Sequence, residues 1–233
     1  MERLITPALL VLLGGTVLAV GLTDAYLAYV QPGFRPLLVV SGAVLVVLSL
    51  AGPVLDRPRA ATAGEHGHVP WSSWLLLLPV AVLLLVAPPA LGVFTAQRQA
   101  QPVAAATAEQ PPRSAPGEDG VRAMSVLEYG MWALADDPSY VSGGPVRLQG
   151  FVVPRGEDGW YVARIRIGCC AADAVPTSVV VLGGRDDVEA GAWVEVEGTW
   201  APPVDHPEAG YPEPVLEAAA VTPIEPPANP YEG

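Results

Sequence analysis

Lysine is missing from this chain of 233 residues, so all 12 basic side chains are arginines. That absence excludes a P-loop lysine, a Schiff-base lysine and the strand lysine of a kinase. A motor or nucleotide-driven pump acting by itself is excluded with them. Charge of either sign is scarce, at 15% of residues, while 51% are hydrophobic. A chain this apolar is expected in a membrane rather than in bulk water. Histidine occurs three times and cysteine twice, with no Ser-His-Asp order, no H-E-x-x-H and no glycine-rich phosphate loop. One carboxylate beside two thiols, with no placed base, does not make a catalytic site, and the chain is not expected to be an enzyme.

The charge that is present is unevenly placed. Residues 1–100 hold five arginines and four acids, whereas residues 123–233 hold five arginines and seventeen acids. A near-neutral membrane half is joined to a strongly acidic soluble half, and acidity on that scale argues against nucleic acid as a partner.

Three uncharged runs of twenty residues, 4–23, 36–55 and 75–94, set the membrane organisation. Each spans about 30 Å as a helix, the thickness of the hydrocarbon core. Tyr26, Tyr29, Trp71 and Trp74 lie near their ends, where amphipathic rings settle. Three transmembrane helices follow: two within 1–55 and a third within 71–94. A cleaved signal peptide is the alternative for the first run, but no clean A-x-A site follows it. Pro79, Pro88 and Pro89 would kink or shorten the third. Arg3, Arg57 and Arg59 outnumber Arg35 and Arg98 across the two sides. The expectation is a multi-pass plasma-membrane protein with a cytoplasmic N-terminus and an extracytoplasmic C-terminal domain. Between the helices, residues 56–70 form a hydrophilic loop bearing His66 and His68. Residues 95–122, rich in Ala, Gln, Pro and Gly, read as a flexible linker.

Residues 123–233 suffice for one small core. A short helix is expected over 124–134, followed by five strands at 146–153, 160–169, 177–182, 193–200 and 215–224. In the second strand Tyr161, Ala163, Ile165, Ile167 and Cys169 share one face, and Arg164 and Arg166 the other. Five short strands bent at Gly150 and Gly198 predict a small all-β domain. An OB-like barrel is the first expectation, ahead of an SH3-like barrel or an open sandwich.

The sharpest motif is Cys169-Cys170-Ala171-Ala172-Asp173, where the second strand runs out. On a continuing strand the two thiols would face opposite ways, so only a turn brings them together. Three readings stay open. The pair is structural, or it forms a strained vicinal disulfide. Alternatively it is a thiolate metal or redox site, with Asp173 as further ligand or base and Arg164 or Arg166 lowering a thiol pKa. His66 and His68 are two further ligand candidates, and the cofactor such a set would take is a transition metal such as zinc. His206, between Asp205 and Glu208 in the Pro-rich stretch 201–214, reads as a surface residue.

The motifs Leu148-Gln149-Gly150-Phe151-Val152, Ala163-Arg164-Ile165-Arg166-Ile167 running into Cys169-Cys170-Ala171-Ala172-Asp173, and Trp193-Val194-Glu195-Val196-Glu197-Gly198 together resemble the YcgQ-like family of bacterial permease subunits. The ending Pro226-Pro227-Ala228-Asn229-Pro230-Tyr231 and the His66-Gly67-His68 loop resemble it too. The resemblance implies a few membrane helices, an extramembrane C-terminal domain and a larger polytopic permease as partner. That agrees with the runs themselves, which lack the intramembrane charges a solute pathway uses. The expectation is an accessory permease subunit in the lipid bilayer, whose barrel docks or handles a substrate or metal. The alternative is a membrane-anchored thiol or metal protein acting without a permease.

Overall fold

The computed structural model describes residues 2–55, 75, 77–85, 91–98, 113–155, 159–184 and 189–232. The chain divides into two units, Met1–Ala90 and Leu91–Gly233.

In the first unit, two long runs without internal charge give helix α1 (Glu2–Leu22) and helix α2 (Arg35–Leu55), joined by two 3-10 turns. The helices touch at glycines. A Cβ on Gly14 would lie 3.0 Å from the Gly42 carbonyl oxygen, and one on Gly42 would lie 3.0 Å from the Leu18 amide. The missing side chains let the two backbones approach closely. Polar groups at the seam are satisfied locally. Ser49 Oγ donates to the Pro7 carbonyl at 2.6 Å, and the Arg35 guanidinium donates to the last carbonyls of α1, Gly21 and Leu22, at 3.0 and 3.4 Å.

The three expected spans are only partly matched. Among the described residues one helix, Pro32–Ala51, is long and apolar enough to cross a membrane, and only 11% of it is buried. Near the N-terminus, such a helix spans a bilayer or serves as a signal sequence. Pro7–Leu22 is a shorter apolar stretch. The run 75–94 is not one continuous helix: helix α3 covers Leu77–Leu85, Leu91 and Gly92 are non-helical, and a separate helix α4 covers Val93–Arg98. Three prolines in that sequence disfavour an unbroken ladder. The linker also departs from expectation at both ends. Residues 95–98 lie within α4, and Ser114 and Arg122 hydrogen-bond the folded domain.

The second unit holds β1 (Arg122–Ala123), α5 (Val126–Ala133), α6 (Ser139–Ser142), β2 (Val146–Pro154), β3 (Trp160–Arg166), β4 (Val175–Leu182), β5 (Trp193–Asp205), β6 (Pro212–Pro223) and β7 (Tyr231–Glu232). Strand order is β1-β2-β5-β6-β4-β3-β7, and a further β2–β3 pairing closes the five long strands into a barrel. Closure happens on one strand. β2 pairs with β5 from Val146 to Phe151 and with β3 from Phe151 to Pro154. The expected bends are where the backbone crowds. A Cβ on Gly150 would stand 2.5 Å from the Ala163 carbonyl oxygen, and one on Gly198, beside a bulge, would collide with the Glu217 carbonyl.

Alternation fills the barrel with Val146, Leu148, Val152, Trp160, Val162, Val179, Val181, Val194, Val196 and Leu216. Helix α5 completes this core with Val126, Tyr129, Trp132 and Ala133, and the Tyr129 hydroxyl donates to the Val215 carbonyl at 2.6 Å. Ser125 accepts from the Glu128 amide at 2.9 Å and caps the helix. On β3 the core face is the one that carries Trp160 and Val162 and then Arg164 and Arg166, while Tyr161 and Ala163 turn the other way.

Gly198→Ala is expected to cost about 3 kcal/mol, because the new methyl displaces the β6 backbone. Gly15→Ala, inside α1 with open space around its Cβ, is expected to stabilise by about 0.5–1 kcal/mol. Chemical unfolding of the detergent-solubilised chain, followed by its tryptophan signal, reads both.

Candidate functional site

Beyond Trp200, β5 and β6 continue as a two-stranded arm, with Val204 opposite Glu213 and Asp205 opposite Pro212. The stretch noted from sequence as Pro-rich is therefore strand up to Asp205 and again from Pro212. Its tip is the turn from His206 to Tyr211, closed by the His206 amide donating to the Tyr211 carbonyl at 2.8 Å. His206 Nδ1 accepts the amides of Glu208 and Ala209 at 3.2 and 3.1 Å, which puts the ring proton on Nε2. The Tyr211 ring lies 4.9 Å away, tilted by 32°.

The arm and the barrel face enclose a cavity of about 220 Å³, bounded by Pro154 of β2, Tyr161 and Ala163 of β3, Pro176 and Ser178 of β4, the turn, and Ala96 and Gln97 of α4. Glu213, also in the wall, is 5% exposed. Its Oε2 accepts from Arg155 Nη2 and Nε at 2.9 and 3.2 Å, and its Oε1 accepts from the Tyr161 hydroxyl at 2.8 Å. Burial, with Glu213 adding to it, pushes the Tyr161 hydroxyl far above its usual range. A buried pair of this kind is costly to break from one side. It holds the arm against the face. His206 is half-buried in this wall rather than a free surface residue. Arg155, Tyr161, Tyr211 and Glu213 were not singled out from sequence as site residues. The available signal was a carboxylate between two prolines, Pro212 and Pro214, in a strand-length segment.

Four residues singled out from sequence meet around one guanidinium. Arg164, 9% exposed, donates through Nη2 to the carbonyls of Tyr231 and Asn229 at 3.1 and 3.4 Å and lies 4.9 Å over the Trp193 ring. Asn229 Oδ1 accepts the Tyr231 amide at 3.2 Å. This brings Tyr231–Glu232 alongside β3 as strand β7. The Glu232 carboxylate then accepts the α5 amides of Val126 and Leu127 at 2.8 and 3.3 Å. The chain end thus caps the helix that completes the core. Burial raises the Glu232 carboxyl above its ordinary 4.5, opposed by those amides and by Arg164. Burial likewise lowers the Arg164 pKa, opposed by Glu232. Gly150 and Gly198 serve closure instead, and Arg166 is half-buried beside the chain end, with Glu232 as its register partner.

The cysteines follow the turn expectation. β3 ends at Arg166, and the two sulfurs stand 3.6 Å apart, with Cys169 exposed and Cys170 half-buried. Asp173 organises the turn, its Oδ1 accepting the Gly168 amide at 3.1 Å and its Oδ2 the Cys169 amide at 2.8 Å. The expected lowering of a thiol by arginine is reversed. Asp173 first, and then Cys170, push the Cys169 thiol up to about 11, because negative charge beside it opposes a thiolate. Arg164 is engaged with the chain end. Among the described residues no three His, Cys, Asp or Glu side chains group to hold a metal ion. His66 and His68 lie outside the described residues.

The second unit is thus a closed five-stranded barrel with a walled cleft and a latched C-terminus. Residues 127–232, which carry the latch, the cysteine turn and nearly all of the cleft, match the DUF1980 C-terminal domain, a family without a characterised function. No curated protein matches the chain.

Asp173→Asn is expected to return the Cys169 pKa from about 11 towards its ordinary 9, raising the thiolate fraction at mildly alkaline pH about tenfold or more. The pH dependence of alkylation by iodoacetamide measures it. For Glu232, a pKa raised on folding means that the folded chain binds the proton more tightly than the unfolded one. Its contribution is fully present below pH 4.5 and is lost as pH rises through the folded value. Glu232→Gln should flatten that decline, read as unfolding free energy against pH beside the unsubstituted chain.

Proposed function

We propose that this chain is an accessory subunit of a membrane permease complex, anchored by its N-terminal helices and carrying an OB-like docking domain outside the cytoplasm. The observation that carries the reading is the cleft, which the arm builds against the β3–β4 face around a buried Arg155–Glu213–Tyr161 network. OB-like barrels bind on this kind of surface, between the face of their second and third long strands and the loops that flank it. The strand order supports the OB-like assignment, and a pocket built at such a cost in buried charge favours binding over a purely structural role.

A cytoplasmic N-terminus and plasma-membrane insertion belong to the same proposal. They are supported by the three uncharged runs and the distribution of arginines. The lack of charge in those runs favours a subunit beside a polytopic permease over a pathway of its own.

A second reading, a membrane-anchored thiol or metal protein, draws on the sulfur spacing. Two thiolates about 2.3 Å from a tetrahedral zinc ion stand about 3.8 Å apart, close to the 3.6 Å between Cys169 and Cys170. The pair supplies two of four ligands, and Asp173 beside it, with one backbone amide on each oxygen, keeps lone pairs for at most a third. A closed zinc site would need donors from another segment or another protein.

Mild detergent extraction from native membranes separates the readings. The docking reading expects a polytopic membrane protein to copurify in fixed ratio, and isolation of the chain alone removes it. The thiol reading expects bound metal that disappears in the Cys169→Ser, Cys170→Ser double variant; unchanged metal content removes that one.

A further inference from the structure

The polar groups of the cleft are not all equally available to a ligand. Arg155 commits its Nε and Nη2 to Glu213, and the Tyr161 hydroxyl hydrogen goes to the same carboxylate. Both are held by that buried carboxylate, which offsets the guanidinium charge. His206 Nδ1 is taken up by two backbone amides. Besides the neutral Gln97 amide and Ser178 hydroxyl, the wall presents the paired rings of Tyr211 and His206 and the carboxylate of Glu208. Glu208 makes no ion pair among the described residues.

Aromatic faces beside an uncompensated carboxylate attract a cation. The surrounding field has the same sign, with seventeen acids against five arginines over residues 123–233, so cations are drawn in and phosphates repelled. At about 220 Å³ the cavity is below the usual range for a drug-sized ligand and suits one side-chain head. We infer that the cleft takes a guanidinium or ammonium group, supplied by an arginine or lysine on an exposed segment of the partner protein. This rests on the reading of the barrel as a docking domain and names the chemistry of its partner.

The full chain in lipid nanodiscs is titrated with a short glycine-flanked peptide bearing two arginines, followed by calorimetry. Matched peptides carrying glutamine or glutamate in place of arginine, free arginine, and a neutral disaccharide are titrated in parallel. Saturable binding of the arginine peptide is expected, at least tenfold tighter than the glutamine peptide or free arginine and weakened by salt. Glu208→Gln should weaken it about threefold and Tyr211→Ala about fivefold. Glu208 is exposed and Tyr211 half-buried, and an unfolding curve for each variant verifies that it folds.

Equal binding of the glutamine peptide, preference for the disaccharide, or indifference to both substitutions overturns the inference. Free arginine binding as tightly as the peptide overturns the assignment to a partner's side chain in favour of a small cationic solute. Copurification keeps the two levels apart. A polytopic partner retained by the wild-type chain and undiminished in both variants overturns the cleft inference alone. One that retains no partner yet binds the peptide overturns the docking reading.

Discussion

The double pairing of β2 is the constraint on which the second unit depends. One strand must hydrogen-bond β5 along its first half and β3 along its second, so it must bend sharply near residue 150. A side chain there would run into the β3 backbone, and glycine removes that obstacle. The resulting barrel leaves no open edge between its first and last long strands. With the sheet closed, valines at alternate positions meet in one interior, and α5 has a core to complete. The arm, the cleft and the parallel docking of β7 all take their positions from that closure.

Buried charge is then used twice, each time through arginine. Arg155 holds the arm by two nitrogens on Glu213, and Arg164 holds the chain end by two backbone carbonyls, with Glu232 4.0 Å from its Nε. A planar guanidinium presents several fixed donors at once and is more weakly hydrated than an ammonium group. It therefore tolerates burial among carbonyls and rings better. Complete reliance on arginine, seen first as an absence of lysine, fits what these two sites require. Each site also ties together segments distant in sequence, β2 to β6 and β3 to the C-terminus.

The cysteine turn differs from both in being exposed. Its geometry is set by a carboxylate that accepts backbone amides while discouraging thiolate formation at Cys169. That combination keeps the Cys169 thiol protonated near neutral pH, whereas a ligand or nucleophile needs the thiolate. The cleft combines a cavity, paired rings and an unengaged carboxylate, and so it carries the functional proposal better.

Alternation of valine with polar residues and the paired glycines determined the five strands and their bends, because a period of two and a missing Cβ are local properties. The same locality made the helix over 124–134 legible, through apolar spacing that its capping serine and Glu128 reinforce. It also carried the uncharged runs, though not whether each is one helix: a run such as 75–94 is apolar throughout and still contains a break. Prolines at 202, 203, 212 and 214 hid the arm, since proline usually argues against a strand, and only pairing across β5 and β6 restores it. Which face of β3 is interior could not be read from its alternation, because Arg164 lies on the face that also carries Trp160 and Val162. The tertiary structure decided that Arg164, Trp193, Asn229 and Tyr231 form one cluster and that Glu213 lies beside Arg155 and Tyr161. These contacts join residues dozens of positions apart, and no local pattern encodes the closure that brings them together.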